Sequence, residues 1–227
     1  MSTTNKKAYV YQMKLVPANI LAIVIFIIMG IITIKIFGYI GIFEKPFIIT
    51  LMLLWFALHE AFHGLGYLLD GCKLKNISYG IMLEKGIFYC MAYQELSKRN
   101  ILVSLQMPFM MIGVITYVIS IFFHLPILAW LSVFNIMGAS MDLVMFYTIS
   151  RIKNLTYSES GQPDEFVLIT TEDLEKKKNP FLKLKEVKDY HKEDYQFKDF
   201  PKFRCSKTSY ISIGILIALE LCGFLLG

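Results

Sequence analysis

Long blocks of apolar residues alternate with shorter polar segments along this chain of 227 residues. A run of about 18 or more apolar residues is long enough to cross the roughly 30 Å hydrocarbon core of a bilayer. Five blocks reach that length, and each is predicted to be a membrane-spanning helix: Val16–Ile42, Phe47–Leu69, Ile101–Phe123, Pro126–Ser150 and Ser209–Gly227. The expected fold class is therefore an all-α polytopic membrane protein.

These blocks also predict the domain organisation. Residues 1–15 form an N-terminal tail, 16–150 a four-helix transmembrane core, 151–208 a polar segment, and 209–227 a C-terminal transmembrane helix. Between the second and third helices, two apolar runs flank Glu84-Lys85-Gly86, a pattern that predicts a small β-hairpin. The hairpin could pair with an extended substrate by strand addition, or it could only cover the helix bundle.

The positive charges follow the same alternation. Apolar residues make up 56% of the chain and charged residues only 18%, well below the usual quarter for globular domains. Lysine and arginine number three in the N-terminal tail, five between the second and third helices and thirteen in residues 151–208, whereas the loops on the other side hold only Lys45. Cytoplasmic loops carry this excess, so the N-terminus is expected in the cytoplasm and the C-terminus outside. The net charge of +5 is thus explained by orientation, and no nucleic-acid partner is expected.

The strongest chemical signal is the sequence His59-Glu60-Ala61-Phe62-His63 in the second predicted helix. In an HExxH motif the two histidines lie one helical turn apart and can bind one zinc ion, with the glutamate as general base. Three fixed positions make a moderately specific pattern. Its location strengthens it, because an acidic residue at the centre of a membrane helix costs roughly 2.5–3.5 kcal/mol and is usually functional.

A catalytic zinc usually has three protein ligands, and two aspartates compete for the third position. Asp70 follows the motif at the cytoplasmic end of the same helix, and Asp142 lies in the fourth predicted helix. At about 1.5 Å per residue, Glu60 lies about 14 Å and Asp142 about 12 Å from the inner ends of their helices. The similar depth favours Asp142, and Asp70 remains the alternative.

These motifs resemble those of the bacterial family named "putative zincin peptidase", and more broadly those of site-2-protease-like intramembrane zinc metalloproteases. The resemblance covers about residues 47–155 and rests on the HExxH motif, on Gln106-Met107-Pro108-Phe109 and on Asn135 with Gly138–Leu143. Site-2 proteases usually carry Asp-Gly where this chain has Asp142-Leu143, which favours the zincin-peptidase branch. The resemblance implies a zinc ion held by His59, His63 and Asp142, Glu60 as the catalytic residue that activates water, and a bacterial cell membrane as the location.

The expected function is a membrane-embedded zinc endopeptidase that cleaves membrane-associated peptides or transmembrane segments near the cytoplasmic face. Its expected partners are the lipid bilayer and a membrane-associated peptide or protein substrate. The alternative is a non-enzymatic membrane protein, of transport, immunity or regulatory type, in which the motif binds metal or packs helices. In the polar segment, Lys176–Lys178 and Lys183–Lys192 indicate contact with anionic lipid headgroups. The alternative is a solvated tether to the last helix, which is favoured over a catalytic domain. For Glu220, in the last predicted helix, a water path, a helix contact and an interfacial position all remain open.

Overall fold

The computed structural model describes residues 6–41, 47–83, 87–162, 164–177, 179–195 and 202–226. The predicted turn at Glu84–Gly86 and the loop residue Lys45 lie outside these ranges. The helices are α1 Leu15–Phe37, α2 Ile48–Leu69, α3 Lys98–Pro108, α4 Thr116–Phe122, α5 Pro126–Gly138, α6 Ser140–Ser150 and α7 Lys207–Leu226. A π-helical segment, Phe109–Ile115, joins α3 to α4.

The expectation of an all-α protein is wrong, because the polar segments form two β-sheets. The strands are β1 Lys7–Met13, β2 Ile77–Met82, β3 Ile87–Ala92, β4 Leu96–Ser97, β5 Thr156–Glu159, β6 Glu165–Thr170, β7 Leu182–Asp189 and β8 Phe203–Cys205. One sheet has the order β4-β5-β6-β1-β7, and the other has the order β3-β2-β8. The protein is therefore a mixed α/β protein whose strands come from three separate parts of the chain.

The prediction of five membrane spans is also wrong. Within the described residues, three helical stretches are long and apolar enough to cross a membrane: Leu15–Phe37, Ile48–Leu69 and Lys98–Phe122. The fourth predicted span is broken at Ala139 into α5 and α6, which are bent by 46° and together could form one further span. In α7 the apolar stretch Lys207–Ala218 is shorter than a membrane span.

The surface of α1 is typical of a helix in contact with lipid. Its isoleucines and valines are largely exposed, for example Ile20 and Ile27 at 58% and 52%. On one side it packs against α5, where the ring of Phe26 stacks on Phe134 at 5.3 Å and Gly30 approaches Trp130. So many exposed apolar side chains along one helix are consistent with contact with the apolar interior of a bilayer.

The larger sheet is organised around β1. This strand pairs antiparallel with β6 on one side and with β7 on the other, so Ala8 and Tyr9 are buried. The main hydrophobic core joins this sheet to α3 and α6, since Tyr9, Phe166 and Leu168 pack in one cluster with Ile101 and Ile149. The larger sheet therefore packs against the ends of α3 and α6, so its strands from residues 151–208 are not a solvated tether.

The smaller sheet contains the predicted hairpin. Strands β2 and β3 pair antiparallel from Ile77 opposite Ala92 to Met82 opposite Ile87, and β8 adds in parallel to β2. Tyr79, in β2, fills the space above Gly64 of α2, where a Cβ atom would lie 2.0 Å from the tyrosine hydroxyl. Glycine at this position allows the hairpin to lie directly against the helix that carries the HExxH motif.

Glu220 makes a helix contact, one of the three interpretations left open by the sequence. Its carboxylate accepts hydrogen bonds from the backbone N–H groups of Ile49 and Thr50, at 2.8 and 3.0 Å. The Thr50 hydroxyl also donates to this carboxylate. These N–H groups belong to the first turn of α2 and lack intrahelical acceptors, so the acid from α7 caps the amino end of the motif helix.

Candidate metal centre

Two histidines from α2 and one aspartate from α6 meet at a single point. His59 Nε2 lies 3.1 Å from His63 Nε2. One carboxylate oxygen of Asp142, Oδ2, lies 3.2 Å from the first nitrogen and 3.4 Å from the second. Both histidines are 6% exposed, so this triangle of atoms is shielded from bulk solvent.

The outer nitrogen of each histidine bonds to a fixed acceptor. His59 Nδ1 lies 2.8 Å from Asn135 Oδ1, and the Asn135 amide nitrogen donates in turn to the Pro108 carbonyl at 2.9 Å. That second bond orients the amide so that its oxygen faces His59. His63 Nδ1 lies 2.9 Å from the Ser104 carbonyl. Because both partners are acceptors, each neutral ring carries its proton on Nδ1 and turns a lone pair on Nε2 toward Asp142.

These donor atoms fit a zinc ion. With both ring protons on Nδ1, two nitrogen lone pairs and a carboxylate oxygen face one another, and no donor among the described residues bonds the buried Asp142 Oδ2. Such an arrangement is repulsive unless a cation lies at its centre. Zinc bonds of roughly 2.0–2.2 Å in tetrahedral geometry separate neighbouring ligand atoms by about 3.3–3.5 Å. The three distances in the structure are close to that separation.

The local sequence explains why the Ser104 carbonyl is free to orient His63. In a regular helix this carbonyl would accept from the N–H four residues later, but that residue is Pro108, which has no N–H. Gly66 brings α2 and α3 close enough for the contact, because a Cβ atom on it would lie 2.5 Å from the Ser104 Cα. The Ser104 hydroxyl completes the link by donating to the His63 carbonyl at 3.0 Å.

Glu60 lies beside the histidines and is held from the other side by the hairpin. The possible ligand atoms of His59, Glu60 and His63 all lie within 4.8 Å of one another. The backbone N–H of Cys90 in β3 faces the Glu60 carboxylate. The catalytic candidate is therefore positioned jointly by its own helix and by an edge strand of the smaller sheet.

Asp70 occupies a different position. It ends α2, where its carboxylate lies 3.4 Å from the Arg99 Nε atom and 3.3 Å from the Ser97 hydroxyl that donates to it. These contacts tie the end of α2 to the start of α3. Of the two aspartates considered from the sequence, the structure brings Asp142 to the histidine pair and leaves Asp70 at the helix end.

A cavity of about 510 Å³ adjoins these residues, a size typical of ligand-binding pockets. One part is apolar and is lined by Ala22, Leu53, Phe56 and Met137. Another part is lined by residues of the sheets, including Glu159 of β5.

Glu159 was not singled out from the sequence. It is only 5% exposed, and burial raises the pKa of its carboxyl to about 8. The Tyr157 hydroxyl and the Ala92 N–H lie beside the carboxyl and limit this rise in its pKa. No sequence pattern marks this residue, because its burial depends on the packing of β5 against β3.

Comparison with protein-family models settles how this region is classified. Residues 51–157 match the family described as "Putative zincin peptidase". The zincin-peptidase region contains His59, Glu60, His63 and Asp142 and ends two residues before Glu159. A zincin is a zinc peptidase, so the match indicates a zinc metallopeptidase. A search of curated proteins and a search of solved structures each found no match.

Proposed function

We propose that this protein is a membrane-embedded zinc endopeptidase that cleaves membrane-associated peptides or transmembrane segments near the cytoplasmic face. The observation that carries the proposal is the convergence of His59 Nε2, His63 Nε2 and Asp142 Oδ2 within 3.1–3.4 Å. The location of the motif in an apolar helix, and the family match over residues 51–157, support the same function.

In this proposal His59, His63 and Asp142 hold the metal. Bound zinc would supply Lewis acidity, which polarises the scissile carbonyl and lowers the pKa of a bound water to about 7. Asn135 and the Ser104 carbonyl keep both imidazoles in the tautomer that presents Nε2. The metal-free alternative, in which the motif only packs helices, leaves the buried oxygen of Asp142 without a donor.

Glu60 carries the proton transfers of hydrolysis. It removes a proton from the attacking water as the water oxygen bonds to the carbonyl carbon, and it passes that proton to the amine nitrogen as the carbon–nitrogen bond breaks. The Cys90 N–H orients its carboxylate for both steps. A peptide extended along β3 would bring a backbone carbonyl next to Glu60, which favours a role for the hairpin in substrate placement.

The proposed cytoplasmic side follows from where the basic segments assemble. Strand β1 comes from the N-terminal tail, β4 from the segment between α2 and α3, and β5–β7 from residues 151–208. These are the three segments richest in lysine and arginine, and they form one sheet. The positive-inside rule then assigns this sheet to the cytoplasm.

The test compares wild-type protein with Glu60→Gln, both purified in detergent and incubated with a library of membrane-spanning peptides. Glu60→Gln is expected to keep its zinc and lose cleavage, by roughly a hundredfold or more for a general base. Glu193→Gln, an exposed acid distant in sequence from the motif, serves as the matched control and should cleave like wild type. Equal cleavage by Glu60→Gln and wild type would refute the proposal.

A further inference from the structure

Among the described acids that line the cavity, Glu159 stands apart from the others. Glu60 and Asp142 belong to the candidate metal centre, and Glu165 forms an ion pair with Lys185 at 2.6 Å. Glu159 has no lysine or arginine at ion-pair distance within the described part of the chain. No described residue lining the cavity is a lysine or an arginine. A buried carboxyl group thus faces a substrate-sized space without a cation.

The position of Glu159 relative to Glu60 is set by β3. The Tyr93 N–H donates to the Asn76 carbonyl, on the side of the neighbouring strand β2. The backbone N–H groups of successive residues point to opposite edges of a strand. The N–H groups of Ala92 and Cys90 therefore point to the outer edge of β3, away from β2. The first of these N–H groups faces the Glu159 carboxylate, and the second faces the Glu60 carboxylate.

This alternation gives a distance along the strand. Two residues of a β-strand span about 6.5–7 Å, so the two carboxylates are held about two residues apart along one edge of β3. A peptide with its scissile carbonyl at Glu60 would therefore place a neighbouring residue, or its own terminus, beside Glu159. The apolar part of the cavity, lined by Leu53 and Phe56, would take the hydrophobic side chains of the same peptide.

We propose that Glu159 determines substrate specificity by binding a positively charged group of the peptide, about two residues from the scissile bond. The group is an ammonium or guanidinium, from a lysine or arginine side chain or from a free N-terminus. This inference rests on the proposed function. It suits substrates of the proposed kind, because cytoplasmic ends of transmembrane segments carry an excess of lysine and arginine.

The state of Glu159 in the free protein agrees with this role. Burial raises the pKa of its carboxyl to about 8, so roughly a tenth of the molecules are ionised at pH 7. A bound cation favours the ionised form and needs to offset only that tenfold preference for the neutral acid. The Tyr157 hydroxyl and the Ala92 N–H lie beside the carboxyl group and also favour its ionised form.

The test uses full-length protein and paired peptides that differ at one position, with lysine in one and its neutral isostere norleucine in the other. The lysine is moved through the two positions on each side of the scissile bond. Wild type should favour lysine at one position by about tenfold or more in kcat/KM, and Glu159→Gln should reduce this ratio to within about twofold. Glu165→Gln, which alters a paired acid of the same cavity, should keep the wild-type ratio.

Two further arms separate the possible outcomes. Fluorescence anisotropy measures binding of the same peptides to Glu60→Gln protein, which shows the lysine preference without cleavage. A failure of the catalytic proposal would therefore not hide the lysine preference. N-terminal acetylation distinguishes a terminal ammonium, whose preference it abolishes, from a side chain, whose preference it leaves. A wild-type protein that shows no charge preference at any position, or a Glu159→Gln variant that keeps the preference, would overturn the inference.

Discussion

His63 donates from Nδ1 to the backbone carbonyl of Ser104 over 2.9 Å, across the contact between α2 and α3. The carbonyl is available because Pro108, four residues later in α3, cannot donate to it. A proline inside an apolar helix thus has a specific consequence for the candidate metal centre. It reserves a strong backbone acceptor for one histidine and thereby fixes which nitrogen of that histidine faces Asp142.

Replacing Pro108 with alanine should weaken zinc binding. The new N–H would compete with His63 for the Ser104 carbonyl, and loss of such an outer contact typically costs about 10–100-fold in metal affinity. Competition between the protein and a chromophoric chelator measures the effect. Pro126→Ala is the matched control, because this proline opens α5, where it needs no hydrogen-bond donor. An unchanged zinc affinity in Pro108→Ala would show that the freed carbonyl has no role.

Gly66→Ala should lower both stability and zinc affinity. The added methyl group would lie 2.5 Å from the Ser104 Cα, so α3 must move away from α2. Overpacking of this kind typically costs about 1–3 kcal/mol, more than the gain in helix propensity from replacing glycine. Gly214→Ala is a suitable control, since no described atom lies within 4 Å of the added carbon. The measurement is thermal unfolding in detergent. Equal apparent Tm values for Gly66→Ala and Gly214→Ala would contradict the account.

The helical half of the metal centre could be predicted from the sequence. Helical periodicity places His59 and His63 on one face, and counting residues from the helix ends puts Asp142 at a depth similar to that of Glu60. The structure brings Asp142 Oδ2 to 3.2 Å from His59 Nε2. Counting residues was sufficient because the position of a residue along a helix axis follows directly from its distance in sequence to the helix end.

The larger sheet could not be predicted in the same way, whereas the hairpin of the smaller sheet could. In β7, Leu182 and Leu184 alternate with Lys183 and Lys185, a period of two that is typical of a strand, but the density of lysines favoured an interpretation as lipid contact. Strand β1 is only seven residues long, and its partners β6 and β7 follow more than 150 residues later. Pairing over such a separation depends on the folded helices, which bring the strands together.

Glu220 should contribute to stability through the cap that it forms on α2. Glu220→Ala removes the acceptor for the N–H groups of Ile49 and Thr50, and loss of a helix cap costs about 0.5–2 kcal/mol. Glu220→Gln keeps one acceptor oxygen and should fall between the wild type and the alanine variant in apparent Tm. Glu193→Ala, a change at an exposed acid, is the control. If Glu220→Ala unfolds at the wild-type temperature, the cap is not a stabilising contact.

Glu159 should make stability depend on pH. Burial raises its pKa in the folded protein from the ordinary 4.5 to about 8, so the folded state binds the proton more strongly than the unfolded state between these values. The contribution of the protonated Glu159 carboxyl to the free energy of unfolding is therefore complete below about pH 4.5. It is lost as the pH rises through 8. Between pH 5 and 9, the apparent Tm of the wild type should fall relative to that of Glu159→Gln as the pH rises. A difference that does not vary with pH would contradict the buried, protonated acid.

The zinc content of matched variants tests the central claim most directly. The full-length protein, Asp142→Asn and Asp70→Asn are purified in parallel without chelators, and zinc per chain is measured by mass spectrometry. We predict one zinc per chain in the wild type and in Asp70→Asn, and a large loss in Asp142→Asn, whose amide is a much weaker ligand than the carboxylate. A wild type without zinc, or an Asp142→Asn variant that retains it fully, would contradict a centre built from His59, His63 and Asp142.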